Sequence, residues 1–167
     1  MSVPVVTAPS SSGSSPGASG RPLIITIDGP AGTGKSSVAS RLAERLGLIH
    51  LDTGAMYRAA ALVAAERGID PDDGPAIAAA MGELGIRFDW EARPPRLLVG
   101  GRDLGERIRD LDVGRIVSRV AACPEVRELL TRWQREIARE RPRLVTEGRD
   151  QGSTVFPDAD VRVYLDA

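Results

Sequence analysis

The sequence predicts an α/β protein, a parallel sheet with helices on both faces. Three observations predict it. Short apolar runs without polar alternation suit strands buried on both faces. Helical patterns with one apolar face separate these runs, and that order requires parallel pairing through crossovers. Glycines at 47 and 68 close the first two helices.

The first 21 residues are crowded with Ser, Pro and Gly and carry no charge before Arg21. They read as a disordered tail, because such a composition buries too little apolar surface to offset the entropy of ordering. The tail lacks the basic start and apolar run of a signal peptide, which argues against export. Residues 22–167 form the folded core. Leu23 to Ile27 is its first strand, followed by a glycine-rich turn and a helix presenting Val38, Ala39, Leu42, Ala43 and Leu46 on one face. Leu48 to Asp52 reads as the second strand and Gly54 to Arg67 as the second helix.

Residues 70–121 are less regular and read as an insertion. They hold a helix opening at Pro75, strand-like pieces at Ile86 to Phe88 and Arg96 to Val99, and a helix over Asp112 to Ala121. A long helix from Pro124 to about Arg139 leads to two more strands, Arg143 to Glu147 and Val161 to Leu165.

Charge narrows the function classes. The chain carries 22 basic and 23 acidic residues, so no overall basic field exists to hold a nucleic-acid polymer. No apolar run approaches the roughly 18 residues of a membrane span. Cys123 stands alone, which precludes an internal disulfide and suits a reducing cytoplasm. Only Lys35 is lysine among the basic residues; every other one is arginine. An ammonium is a compact point charge where a guanidinium is a broad plane, so this position reads as one that needs the compact cation.

The strongest chemical signal surrounds that lysine. Gly29-Pro30-Ala31-Gly32-Thr33-Gly34-Lys35-Ser36 fits the P-loop pattern, between a buried strand and an amphipathic helix. Its backbone N–H groups and the positive helix end would converge on phosphate oxygens, with Lys35 on the outer phosphates and the Ser36 hydroxyl on a magnesium ion. The plainer alternative is a glycine-rich turn. Asparagine is absent, which disfavours a GTP-binding switch with an Asn-Lys base-reading motif.

Two further strand ends carry polar groups. Leu51 to Arg58 brings Thr53 and, about a helical turn on, Arg58 to the rim of the sheet, where Arg58 could fork a second phosphate or be an ordinary surface arginine. Thr146-Glu147-Gly148-Arg149-Asp150 ends another strand where open α/β sheets bind ligands, although Gly-Arg-Asp is also a common turn. Positive charge from Lys35, Arg58 and Arg149 at one edge suits phosphoryl transfer between anionic nucleotides.

These segments, together with Val120 to Arg127 and Val155 to Ala159, resemble the bacterial cytidylate kinases, P-loop nucleoside monophosphate kinases acting on ATP and CMP or dCMP. The resemblance runs from about Leu23 to the last residue. It implies a P-loop kinase-type sheet with an inserted monophosphate-binding subdomain that covers the acceptor and excludes water. It implies ATP binding by Gly29, Pro30, Ala31, Gly32, Thr33, Gly34, Lys35 and Ser36, with Ser36 serving Mg2+. It implies that Thr53, Arg58 and Arg149 hold the monophosphate, that Ser118, Arg127 and Asp150 face the cytosine, and that catalysis rests mainly on Lys35 and Arg149. The chain is expected to be a cytoplasmic monomer, and its charge balance and short apolar runs argue against a nucleic-acid polymer or a membrane as partner.

Two residues depart from the family pattern. Glu147 stands where a shorter aspartate is frequent, and Gln151 where an apolar residue is usual. Family members also continue past the strand ending at Leu165 into an arginine-rich lid, a last strand and a helix, so the resemblance implies a truncated chain lacking both lid and last strand. Two alternatives stay open: a catalytically incomplete nucleotide-binding module, and a P-loop kinase for another small acceptor such as shikimate. His50, Trp90, Trp133 and Cys123 read as packing residues.

Overall fold

The computed structural model describes residues 20–166, and the tail expected over 1–21 lies outside them as far as residue 19. The described residues fall into two compact units, one of residues 20–54 and 134–166, the other of residues 55–133. The stretch 70–121, read as an insertion, lies wholly within the second.

The first unit is built on a four-stranded parallel sheet. Its strands are β1 (Leu23–Asp28), β2 (Ile49–Asp52), β6 (Arg143–Gly148) and β7 (Val161–Tyr164), in the order β2-β6-β1-β7. The alternation of side chains along a strand divides this sheet into two faces. Ile25 and Ile27 of β1 and Val145 of β6 pack with Ala39, Ala43 and Leu48 on the face covered by helix α1 (Lys35–Leu46). Thr26, Asp28 and Thr146 point the other way, toward a single π-helical turn at Gln151–Val155. The last turns of α5 (Pro124–Glu140) are fastened to that turn by Arg135, which donates to the carbonyls of Val155 at 3.0 Å and Thr154 at 2.9 Å.

The apolar face of α1 is narrower than its sequence predicts. Val38 and Leu46 are 43% and 44% exposed, while Ala39 and Ala43 are buried. The contact row is therefore Ala39–Ala43, whose small side chains let the helix lie close to the strands, and Val38 and Leu46 flank that row at the edge of the packed arc. Gly47 ends α1 in the left-handed conformation, its N–H returning to the carbonyls of Ala43 and Glu44.

The second unit takes α2 (Thr53–Arg67) from Ala55 onward, α3 (Gly74–Leu84), β3 (Ile86–Asp89), β4 (Arg96–Val99), β5 (Arg102–Asp103), a 3-10 turn (Gly105–Arg109), α4 (Leu111–Ala122) and the first part of α5. Asp73 caps α3, accepting from the Ala76 N–H at 3.0 Å, with Pro75 in the first turn. The strands β3, β4 and β5 form a separate antiparallel sheet. Phe88 and Trp90 stack there with ring centroids 4.5 Å apart. Cys123 is buried with its thiol donating to the Pro71 and Arg119 carbonyls, each at 3.5 Å. Arg119 forks onto Asp70 and Asp72, fastening α4 to the turn before α3. No helix among the described residues is long and apolar enough to cross a membrane.

Candidate active site

The carboxyl ends of β2, β6 and β1 lie side by side because these strands are parallel neighbours. β1 runs into the glycine-rich loop, β2 into Thr53 and β6 into Arg149 and Asp150. Three of the segments singled out in the sequence thus meet at one rim of one unit.

The loop is shaped by its glycines. Gly32 and Gly34 both have φ of 82°, a left-handed conformation in which non-glycine residues are strained, and nothing lies within 4 Å of where a Cβ would sit. Successive amides in such a conformation turn their N–H groups into one concavity. Gly34 then starts α1, which has no acidic residue in its first turn and, among the described residues, no side-chain cap. The positive end of the helix therefore faces the loop unneutralised by its own side chains. The Lys35 ammonium reaches back across the loop to the Pro30 carbonyl at 2.5 Å, and the Thr33 hydroxyl donates to the same oxygen at 3.0 Å. A cation and several N–H donors around one hollow make a receptor for an anion.

Glu147 approaches the loop from β6. Burial pushes its carboxyl up, but hydrogen bonds from His50 and Ser36 together with the charges of His50 and Lys35 outweigh that and hold it below its ordinary value. Thr53 is buried and its hydroxyl donates to the Glu147 carbonyl at 2.6 Å, which pins the start of α2 to β6. Gly148 is required at the meeting point: a Cβ there would stand 2.9 Å from the Gln151 side chain and 3.0 Å from the Thr53 hydroxyl.

Beneath this rim, Asp28 holds the chain that follows Arg149 and Asp150. Its two carboxylate oxygens accept from the backbone N–H groups of Gln151 and Gly152, both at 2.8 Å. Gln151 is buried, and its side-chain oxygen accepts from the Thr146 hydroxyl at 2.7 Å. A polar residue is satisfied at this apolar-seeming position because β6 supplies a hydroxyl beside it.

Arg149 is exposed and Asp150 half-buried at the rim. Arg58 is half-buried in α2, five residues after Thr53; Ser118 and Arg127 are exposed on α4 and α5, within the second unit. The structure therefore brings together the glycine loop, Lys35, Ser36, Thr53, Arg149 and Asp150 in the first unit, while Arg58, Ser118 and Arg127 belong to the second. Sequence reasoning missed Asp28 and His50 as parts of the arrangement, and it placed Glu147 at the strand end without giving its side chain a role. Glu147 sits one residue before a glycine at a strand end, the only local signal any of them offers. Among the described residues, no group of three or more His, Cys, Asp or Glu could hold a metal ion by itself.

Comparison with known proteins points in the same direction. A family model described as cytidylate kinase matches residues 25–167. A cytidylate kinase of Rhodococcus jostii (strain RHA1) is 50% identical over 145 residues, covering 87% of this chain and 63% of that protein. One from Nocardia farcinica (strain IFM 10152) is 48% identical over 146 residues, with coverage of 87% and 63%. A bifunctional pantoate ligase/cytidylate kinase of Synechococcus sp. (strain WH7803) is 49% identical over 148 residues, covering 88% of this chain and 30% of the larger protein. The chain thus spans a little under two thirds of the first two relatives.

Proposed function

The chain belongs to the cytidylate kinase family, and on that premise we propose that it transfers the γ-phosphoryl group of ATP to CMP or dCMP. One observation carries the reading: three neighbouring parallel strands deliver the glycine loop with Lys35, the Thr53 hydroxyl, and Arg149 with Asp150 to a single rim. An oxygen of the CMP phosphate bonds to the γ-phosphorus as the bond to the β–γ bridging oxygen breaks, leaving ADP and CDP, or dCDP from dCMP. No strong base is needed, since alignment and neutralisation of charge do most of the chemistry.

In this reading the backbone N–H groups of Gly29, Pro30's successors Ala31 and Gly32, Thr33 and Gly34 receive the triphosphate. Lys35 exchanges the Pro30 carbonyl for an outer phosphate oxygen. Thr53, Arg58 and Arg149 hold the acceptor phosphate. Ser118, Arg127 and Asp150 face the base, where a carboxylate for the N4 amine and an arginine for N3 and O2 disfavour uracil. Magnesium takes hard oxygen donors and usually shares substrate phosphates with one or two protein oxygens. The hydroxyl of Ser36, the second residue of α1 and an influence on the buried Glu147 carboxylate, fits that need. When bound, the ion would supply further neutralisation of the phosphate charge. The chain works as a cytoplasmic monomer on small nucleotides, its near-balanced charge offering no basic field to a nucleic-acid polymer.

The test is ADP release by the purified chain with ATP and CMP, run beside UMP. Lys35→Ala should lower the rate by at least about 100-fold, and Asp150→Asn should narrow the preference for CMP over UMP. ATP binding without ADP release would favour a nucleotide-binding module instead. Turnover with shikimate but not CMP would overturn the assignment.

A further inference from the structure

His50 reads from the sequence as a packing residue, yet the structure gives its imidazole a polar partner at the rim. In the parallel pair β2–β6, His50 stands opposite Val145 and Asp52 opposite Glu147, so His50 and Glu147 share a sheet face on a diagonal. It is the face that Val145 and Ile27 present to α1. His50 Nε2 lies 3.1 Å from Glu147 Oε1, and the two side chains are 14% and 6% exposed. An ionised carboxylate can only accept, so Nε2 carries the hydrogen in this contact.

Glu147 Oε1 is thus fixed by His50 at the end of β6, whose register partner Ile27 leads into the glycine loop, and the influence of Ser36 and Lys35 draws its carboxyl down. A hydroxyl facing a fixed carboxylate is drawn to donate to it and so turns its lone pairs toward whatever the loop holds. The direction of the Glu147 carboxylate thus decides what Ser36 can offer a cation. A glutamate has three side-chain torsions to fix, and a hydrogen bond from His50 to one of its oxygens removes most of that freedom.

We propose that His50 is a positioning residue for the magnesium–triphosphate site, acting through Glu147 on the orientation of the Ser36 hydroxyl. The proposal rests on the kinase reading. It separates two requirements that a P-loop otherwise joins: the backbone hollow and Lys35 hold the triphosphate, whereas the line His50–Glu147–Ser36 matters only when the cation accompanies it.

Calorimetric titration of the whole chain with ATP, over a series of magnesium concentrations and in EDTA, tests this. His50→Leu keeps bulk but has no donor, and His50→Gln places an amide N–H near the position of Nε2. His50→Leu should raise the magnesium concentration for half-maximal ATP binding by about tenfold, and His50→Gln by no more than about threefold. Both variants should bind ATP in EDTA as wild type does, a result that a general loss of structure would not produce. His50→Ala repeats the contrast without the added branching of leucine, should that variant fold poorly. An unchanged magnesium dependence in His50→Leu or His50→Ala would overturn the proposal, as would a glutamine variant as impaired as leucine. If the wild-type chain binds ATP with no response to magnesium, the kinase reading fails first and this inference with it.

Discussion

Replacing Asp28 with asparagine should destabilise the parallel-sheet unit by about 2–3 kcal/mol, because one buried backbone donor then faces another donor. Asp28 is the last residue of β1 and only 9% exposed. Each of its oxygens accepts one backbone N–H, from Gln151 and Gly152, at 2.8 Å. Asparagine keeps one acceptor and converts the other into an amide that cannot accept. A hydrogen bond to a charged acceptor contributes about 1.5–3 kcal/mol, and a buried N–H left without a partner costs about 1–3 kcal/mol, two descriptions of one loss that should not be added. Relief of carboxylate desolvation offsets part of it. The assay is urea unfolding followed by far-ultraviolet circular dichroism. Tryptophan fluorescence is the wrong probe, since Trp90 and Trp133 both belong to the other unit. Asp28→Ala, which leaves both N–H groups bare, should lose more. A loss below about 1 kcal/mol in Asp28→Asn would refute the claim that this carboxylate holds the chain following Arg149 and Asp150.

Two other outcomes follow from the same rim. Gly29→Ala should destabilise by at least about 2 kcal/mol in the same unfolding assay, because strain at positive φ combines with overpacking. Its φ is 151° and the new Cβ would stand 2.1 Å from the Leu165 carbonyl oxygen, which is backbone and cannot swing aside. Glu147 sets an acid limit: its carboxyl is held below the ordinary 4.5, so its contribution is present above that value and is lost as pH falls through the lower folded-state value. Unfolding measured across that range should show a shallower acid loss in Glu147→Gln than in wild type, and parallel curves would contradict the assigned hydrogen bonds.

What could be read from the sequence was local in the chain. The glycine loop, Lys35 and the helix behind them lie within one segment, so spacing alone identified them. The strand-end positions of Thr53 and of Arg149 with Asp150 followed from apolar runs and their turn residues. The contacts that organise the rim join distant positions instead. His50 meets Glu147 across 97 residues, and Asp28 meets Gln151 across 123. Both depend on the order β2-β6-β1, which hydrophobic pattern does not encode. The strand β5 escaped for a different reason, being two residues long with both side chains exposed. A signal for it was present: Gly100 and Gly101, with φ of 56° and 80°, form the two-residue link between β4 and β5 that favours a tight hairpin.

The period of two along β1 and β6 explains why two buried carboxylates so close in space do different work. Ile27 is in register with Glu147 and Asp28 with Gly148. Glu147 therefore emerges on the α1 face, among Ser36, Lys35 and His50, where side-chain donors and positive charge meet it. Asp28 emerges on the opposite face, where backbone N–H groups satisfy both of its oxygens. Its register partner must then be glycine, since a side chain at 148 would meet both Gln151 and the Thr53 hydroxyl. A slip of β6 by one residue against β1 would carry Glu147 to the face of Asp28, away from Ser36, Lys35 and His50. The same strand pairing that buries Ile25, Ile27 and Val145 thus specifies which acid anchors the turn after Arg149 and Asp150 and which one faces the glycine loop.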